Sequence, residues 1–148
     1  MRYSLLFSIV LVAIVSCNKN KFNTIPSLKY ESASTQVVHA GDLLSFKLNF
    51  TDAEGDFNND STLFVQEKAL NCATSGFKQF YPFPTFTTTK NQEGEILVTF
   101  VYRGSSSITP LPDPKCFKND TSIFRFALRD KARHTSDTVV SEKIVIIY

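Results

Sequence analysis

Residues 44–51 read Leu-Ser-Phe-Lys-Leu-Asn-Phe-Thr, and this stretch decides the fold class of the chain. Apolar and polar side chains alternate along it, which is the period of a β-strand with one face buried and the other in water. The turn pair Gly41-Asp42 comes just before it. From residue 28 onward, no stretch keeps the 3.6-residue period of an amphipathic helix. The sequence therefore predicts an all-β domain.

The same alternation recurs twice further along the chain. Residues 96–102 repeat it after the turn pair Glu93-Gly94, and residues 124–128 repeat it again. The segment 144–147, Ile-Val-Ile-Ile, is apolar on both faces, so we expect it to lie inside a sheet. Weaker strand patterns occur at residues 29–32, 62–67 and 139–147.

About seven short strands, separated by loops rich in Asp, Asn, Gly and Pro, are typical of an immunoglobulin-like antiparallel β-sandwich. We assign this domain to residues 28–148. Residues 70–93 and 104–119 are long for hairpin loops and are expected to hold an irregular edge strand, because proline is tolerated at sheet edges. The strands labelled B, C and F of this topology are residues 43–51, 62–68 and 121–130.

Residues 1–16 have the pattern of a signal peptide. Arg2 supplies the positive charge, and the apolar run at 5–15 is too short to span a bilayer as a helix. The following tetrapeptide, Ile-Val-Ser-Cys at 14–17, resembles a bacterial lipobox, which implies cleavage before Cys17 and acylation of that cysteine. Ordinary secretion and an uncleaved anchor are the alternatives. Residues 17–27 are predicted to be the lipidated cysteine and a flexible tether.

Export also bears on the other two cysteines. With Cys17 acylated, Cys72 and Cys116 form an even pair in an oxidising compartment. Their separation excludes a CxxC redox or zinc motif. Cys72 follows strand C and Cys116 precedes strand F, so both fall at one end of the sandwich. The sequence therefore favours a disulfide over two free thiols.

Acidic and amide side chains crowd the loop between strands B and C, and the loop after strand F lies at the same end. Hard cations such as calcium take six to eight oxygen ligands, which acids at alternate positions around a glycine turn supply compactly. The spacing is not that of an EF-hand, since the glycine stands at the fourth place. The candidate calcium ligands are Asp52, Glu54, Asp56 and Asp130, with Asn58, Asn59, Asp60 and Asp137 as further oxygen donors.

The alternative is a solvated turn without metal. Asp, Asn and Gly are common in turns for backbone reasons of their own. Lys131 and Arg133 are expected close to the acids and would neutralise them. A glycan ligand is a second alternative, but the chain has 14 Phe, 5 Tyr and no Trp, which favours core packing over a sugar-binding face. An exposed patch of Tyr81, Phe83 and Phe86 is the remaining aromatic candidate.

Little in the sequence suggests catalysis. His39 and His134 are the 2 histidines, and His39 precedes a turn glycine with no obvious carboxylate partner. No G-x-S-x-G or HExxH motif is present. The formal net charge of +2, one unit lower once Arg2 is removed, gives no basic field for nucleic acid. We therefore expect neither an enzyme nor a nucleic-acid-binding protein.

Three pieces of the sequence together resemble a family of small Bacteroidota-type lipoproteins with a single immunoglobulin-like domain and no assigned activity. They are the lipobox, the segment Phe-Thr-Asp-Ala-Glu-Gly-Asp at 50–56, and Phe-Ala-Leu-Arg-Asp-Lys-Ala at 126–132. Arg133 and His134 replace the Gly-Asn that ends the second motif in that family, so this turn must be built differently. The resemblance implies the fold and gives no function.

These observations predict a lipid-anchored protein with a non-enzymatic structural or interaction module, or alternatively a ligand-binding module for calcium or glycan. No cofactor other than calcium is expected. The expected partners are the membrane, through the lipid, and another envelope protein. Surface-exposed lipoproteins of the resembled group carry an acidic cluster behind the cysteine, whereas Asn18-Lys19-Asn20-Lys21 is polar and basic. We therefore expect the outer membrane, with the domain facing the periplasm.

Overall fold

The computed structural model describes residues 22–57, 61–84, 87, 89–105 and 107–148. Over these ranges the chain is all-β, and no helix there is long and apolar enough to cross a membrane. The predicted signal peptide and Cys17 lie outside the described residues. The strands are β1 (Ser27–Ala33), β2 (Val37–Val38), β3 (Leu43–Asp52), β4 (Thr62–Ala69), β5 (Lys78–Pro82), β6 (Gln92–Tyr102), β7 (Thr109–Leu111), β8 (Asp120–Arg129), β9 (Val139–Val140) and β10 (Ile144–Ile146).

The first sheet has the order β1-β3-β6-β7 and is built around β3, which contains the alternating stretch at residues 44–51. β3 pairs antiparallel with β6 along its whole length, from Leu43 opposite Val101 to Asp52 opposite Gln92. Burial alternates along β3, so Phe46 and Leu48 face inward and are fully buried. The predicted strands at 43–51, 96–102 and 124–128 are thereby confirmed as β3, the second half of β6 and part of β8.

The second sheet has the order β2-β10-β8-β4-β5, with β9 also paired to β8. β10 lies between β2 and β8, as its two apolar faces predicted. Two expectations are corrected. The described residues form ten strands rather than about seven, and the sheets are mixed, because β2 pairs parallel with β10 and β7 pairs parallel with β6. The extra strands are two or three residues long and have no periodicity of their own.

Aromatic rings from both sheets form the core between them. The Phe46 ring on β3 has its centroid 4.6 Å from that of Phe124 and 5.1 Å from that of Phe126, both on β8. Full burial of such a side chain stabilises a fold by about 1.5–3 kcal/mol. The two sheets are therefore held face to face as a β-sandwich.

The long connecting segments hold short edge strands, as predicted. β5 lies within residues 70–93 and ends at Pro82, at one edge of the second sheet. β7 lies within residues 104–119 at one edge of the first sheet and contains Pro110. Proline has no N–H to donate to a ladder, so both strands suit the edge.

Strand directions give the sandwich two distinct ends. β3 and β8 finish at the same end of the sandwich. The chain passes from the end of β3 to the start of β4, and Thr62, the first residue of β4, lies opposite Arg129, the last residue of β8. We call this the acidic end, defined by Asp52, Asp56 and Asp130. The opposite end, which holds Cys72 and Cys116, is called the disulfide end.

Candidate cation site

Three carboxylates from two loops converge at the acidic end. Asp52 is the last residue of β3, Asp56 follows it in the next loop, and Asp130 comes directly after β8. One oxygen from each lies within 4.8 Å of the other two. Separations of this size allow one ion to contact all three, because calcium–oxygen distances are about 2.3–2.6 Å.

Asp52 owes its position to the period of β3. The inward positions of this strand are occupied by Leu44, Phe46, Leu48 and Phe50, and Asp52 is the next in that series. Its side chain is fully buried. A carboxylate at a core-facing position is costly unless it is hydrogen-bonded or paired with a cation.

A tight turn after β3 provides one hydrogen bond to this carboxylate. The Gly55 N–H donates to Asp52 Oδ2 at 2.5 Å. Gly55 has φ of 61°, and an added Cβ there would overlap the Thr89 carbonyl oxygen, so only glycine fits. The turn thus requires the glycine that the sequence places between the acids.

Two oxygens of the cluster have no partner among the described residues. Asp52 Oδ1 and Asp56 Oδ1 are both buried and accept no hydrogen bond. An unsatisfied buried polar atom costs about 1–3 kcal/mol, and more when it is charged. The two oxygens belong to carboxylates that already converge, so both are placed where they could act as ligands to one cation.

The remaining oxygens of the cluster hold the two loops together. Asp56 Oδ2 accepts from the Ala132 N–H at 3.2 Å, across from one loop to the other. Asp130 is itself buried and accepts from the His134 N–H at 2.7 Å, and His134 Nδ1 lies 3.0 Å from its other oxygen. Each acid is therefore fixed in place by at least one hydrogen bond.

Burial and the neighbouring acids disfavour the charged form of Asp52. Burial raises the pKa of Asp52 above its usual value, the Gly55 N–H opposes this, and the charges of Asp56 and Asp130 raise it further. Lys131 and Arg133, expected to neutralise the acids, are exposed, and no ion pair joins either of them to the cluster in the described part of the chain. The nitrogen found there is His134 Nδ1, 3.0 Å from Asp130 Oδ2.

Not every predicted ligand reaches the cluster. Glu54 is exposed at the tip of the turn that Gly55 closes, so its side chain lies outside the group of three acids. Asp137 is likewise exposed and outside it. Residues 58–60, with Asn58, Asn59 and Asp60, are outside the described ranges.

At the other end, the predicted disulfide is confirmed. Cys72 and Cys116 are bonded, with their Cα atoms 5.7 Å apart. Cys72 follows β4 and Cys116 precedes β8, which is the placement that the strand order predicted.

The histidines and the aromatic patch also gain definite places. His39, for which no carboxylate partner was expected, has Nδ1 3.4 Å from Asp42 Oδ2 in an exposed turn. Phe83 is buried and packs against Phe57 at a centroid distance of 4.9 Å. The expected patch therefore contributes to the core at Phe83, and Phe86 lies outside the described residues.

Sequence reasoning missed two features that the structure contains. His134 on Asp130 was not foreseen, because the contact depends on how the turn after β8 folds. Glu67 is a buried acid outside the cluster, 5% exposed, and accepts from the Ser122 hydroxyl at 2.8 Å. The alternation along β4 could have predicted that Glu67 is buried, since Leu63, Val65 and Glu67 share the inward face of this strand.

Comparison with known proteins adds little to this geometry. No protein-family model matches the chain, and no curated protein sequence matches it. The sporulation control protein Spo0M of Bacillus subtilis is similar in structure with a TM-score of 0.46 and 10% identity, over 84% of this chain and 50% of that one.

A second solved structure is similar at about the same level. The alkylpurine DNA glycosylase AlkC of Pseudomonas fluorescens, bound to DNA containing an abasic site analog, gives a TM-score of 0.49 and 5% identity, over 85% of this chain and 31% of that one. This chain thus spans half the length of Spo0M and about a third of that of AlkC. Neither similarity carries an argument about function.

Proposed function

We propose that this chain is a lipid-anchored envelope protein whose β-sandwich binds a calcium-type divalent cation at its acidic end. The observation that carries the cation site is Asp52, a fully buried carboxylate with an oxygen that lacks a partner, set beside two further acids. Oxygen ligands of this kind suit hard cations such as calcium. Asp52, Asp56 and Asp130 would hold the ion.

A bound cation would act here as a structural clamp. It would join the loop after β3 to the loop after β8 and offset the repulsion among the three acids. The proposed role is therefore non-enzymatic: a stiffened module that presents one end of the sandwich. A glycan site has less support, because Phe83 of the aromatic candidates is buried.

The proposed anchor and location come from the sequence. The lipobox at 14–17 supports acylation of Cys17, and the basic residues after it support an outer-membrane lipoprotein facing the periplasm. Calcium is available in such a compartment without transport into the cell. A disulfide between Cys72 and Cys116 also suits an oxidising compartment.

We further propose that the sandwich is immunoglobulin-like. The order β1-β3-β6 in one sheet and β10-β8-β4-β5 in the other corresponds to strands A-B-E and G-F-C-C′ of that topology. β7 departs from this topology. It lies beside β6, where strand D lies beside strand E, but β7 follows β6 in the chain, whereas strand D precedes strand E. The correspondence of seven strands supports the assignment.

Thermal unfolding at pH 7.5 tests the cation site. A cation at a hundred times its dissociation constant stabilises the folded state by about 2.7 kcal/mol, which raises the melting temperature by several degrees. We expect calcium to do so for the wild type and not for Asp52→Asn. Without metal, Asp52→Asn should melt no lower than wild type, because an amide removes a buried charge and can still accept from Gly55.

Glu54→Gln is the matched control, since it removes an acid of the same loop that lies outside the cluster. It should keep the full response to calcium. The cation site is refuted if wild type gains nothing from calcium, or if the two variants respond alike.

A further inference from the structure

The chain enters the domain beside the candidate cation site. The Ala53 N–H donates to the Asn23 carbonyl oxygen at 3.0 Å, and Ala53 directly follows Asp52. β1 then starts at Ser27, opposite Thr51, and runs away from the acidic end. Whatever precedes Asn23 therefore approaches the protein from this end.

The length of this connection keeps the acidic end close to an anchored lipid. Five residues lie between Cys17 and Asn23, and the six residue-to-residue steps span at most about 22 Å when fully extended. β3, with 10 residues from the disulfide end to the acidic end, is about 34 Å long. The tether is thus shorter than the sandwich, so acylation of Cys17 would hold the acidic end at the membrane surface.

Three carboxylates alone would leave coordination positions of a calcium ion unfilled. Calcium takes six to eight oxygens, and three carboxylates supply between three and six. Phosphate oxygens are the hard anionic ligands present at a lipid surface. One of them can complete the coordination that the protein begins.

The loop after β8 carries two basic residues that form no ion pair with the cluster among the described residues. Lys131 comes directly after Asp130 and Arg133 two positions later, and both are exposed. Side chains of this kind pair readily with phosphate. A cation held by the three acids, together with the exposed basic residues of the loop after β8, would make this end of the sandwich complementary to an anionic headgroup.

We propose that the acidic end is a lipid-headgroup site, in which calcium held by Asp52, Asp56 and Asp130 also binds a phosphate of an anionic lipid in the leaflet that carries the anchor. This inference rests on the proposed anchor and cation site. It assigns the site a partner and gives the domain a fixed orientation on the membrane.

Contact quenching on vesicles tests the proposal with the full acylated protein. A fluorophore is placed either at Glu54→Cys, exposed at the acidic end, or at Ala40→Cys, exposed in the turn before β3 at the disulfide end. The vesicles contain lipids with spin-labelled headgroups in phosphatidylcholine, with or without phosphatidylglycerol. Calcium is added to each.

We expect the fluorophore at position 54 to be quenched more than the one at position 40. Calcium should increase its quenching with phosphatidylglycerol and leave it unchanged with phosphatidylcholine alone. Asp52→Asn should lose the increase. Asp56→Asn, at a half-buried position, should lose it too and serves if Asp52→Asn fails to fold.

The outcomes separate this inference from the proposal it rests on. If calcium raises the melting temperature but not the quenching at position 54, the cation site stands and the headgroup site is wrong. If calcium raises neither, both are wrong. Stronger quenching at position 40 than at position 54 would overturn the orientation.

Discussion

At the residue scale, the unusual feature is that acids occupy inward positions on strands whose other inward residues are apolar. Asp52 ends this series on β3, and Glu67 interrupts it on β4. Asp52 has two acidic neighbours and an oxygen without a partner, whereas Glu67 has the Ser122 hydroxyl. The arrangement at Asp52 suits a bound cation, whereas that at Glu67 suits a protonated carboxyl group.

Glu67 should therefore make stability depend on pH. Burial raises the pKa of Glu67 from its ordinary value of 4.5 to about 7; the hydrogen bond from the Ser122 hydroxyl opposes this, and the charge of Asp120 adds to it. Because the pKa is higher in the folded state than in the unfolded one, the stabilisation is full below pH 4.5 and is lost as the pH rises through 7. A pKa difference of one unit corresponds to about 1.4 kcal/mol.

Urea unfolding between pH 4.5 and 8 measures this effect. Glu67→Gln should remove the loss and exceed wild type in stability above pH 7, whereas Glu54→Gln, at an exposed position, should follow wild type. If the free energies of unfolding of wild type and Glu67→Gln change in parallel over this pH range, Glu67 does not titrate there.

At the scale of elements, the alternating stretches were predictable and the short strands were not. β3, β6 and β8 bury every second residue over much of their length, so their sequences carry the period. β2 and β9 are two residues long, and only their partners in the sheet define them. A period cannot be seen in two residues, and the parallel pairings depend on how the whole chain folds.

The candidate cation site was likewise predictable only in part. The period of β3 could have predicted that Asp52 faces inward, and the strand order did predict that Asp130 shares its end. The exposure of Glu54 depends on the turn at Gly55, and the contact of His134 depends on the turn after β8. Side-chain directions in loops depend on such local geometry, which spacing in the sequence does not encode.

The disulfide joins two elements and should contribute accordingly to stability. It links residues separated by 44 positions, between the end of β4 and the start of β8. In the chain-entropy model, a loop of this length gives about 4 kcal/mol. We expect the Cys72→Ser, Cys116→Ser double variant to unfold at a clearly lower urea concentration than the oxidised protein.

Intact mass after alkylation under denaturing conditions provides the check on this prediction. Protein isolated without reductant should take up no label at these two cysteines, and reduced protein should take up two. Two labelled thiols before reduction would contradict the bond in the isolated protein.

At the scale of the whole molecule, the two ends of the sandwich have different chemistry. The acidic end receives the tether, and the disulfide end carries exposed Phe117, whose ring packs on Tyr148 at a centroid distance of 5.9 Å. With the anchor at Cys17, the acidic end would face the lipid and the disulfide end would face other proteins of the envelope. Everything in this picture depends on acylation.

Replacing Cys17 by Ala tests that dependence. The variant should accumulate as an unlipidated precursor, incorporate no labelled palmitate and lose the attachment that the lipid provides. The Cys72→Ser, Cys116→Ser double variant is the control and should still incorporate the label. Incorporation into the Cys17→Ala protein would rule out this residue as the anchor.

The parallel pairing of β2 with β10 has a mechanical consequence. The Val145 N–H donates to Gln36 and the Ile147 N–H donates to Val38, so these hydrogen bonds tie the first part of the domain to its last strand. The chain enters at the acidic end, and Tyr148 lies at the disulfide end, where its N–H donates to Asn119. A force that pulls Tyr148 away from the acidic end would load these bonds in shear, all at once, rather than open them one after another. The domain is thus built to resist tension between its acidic end and its last strand.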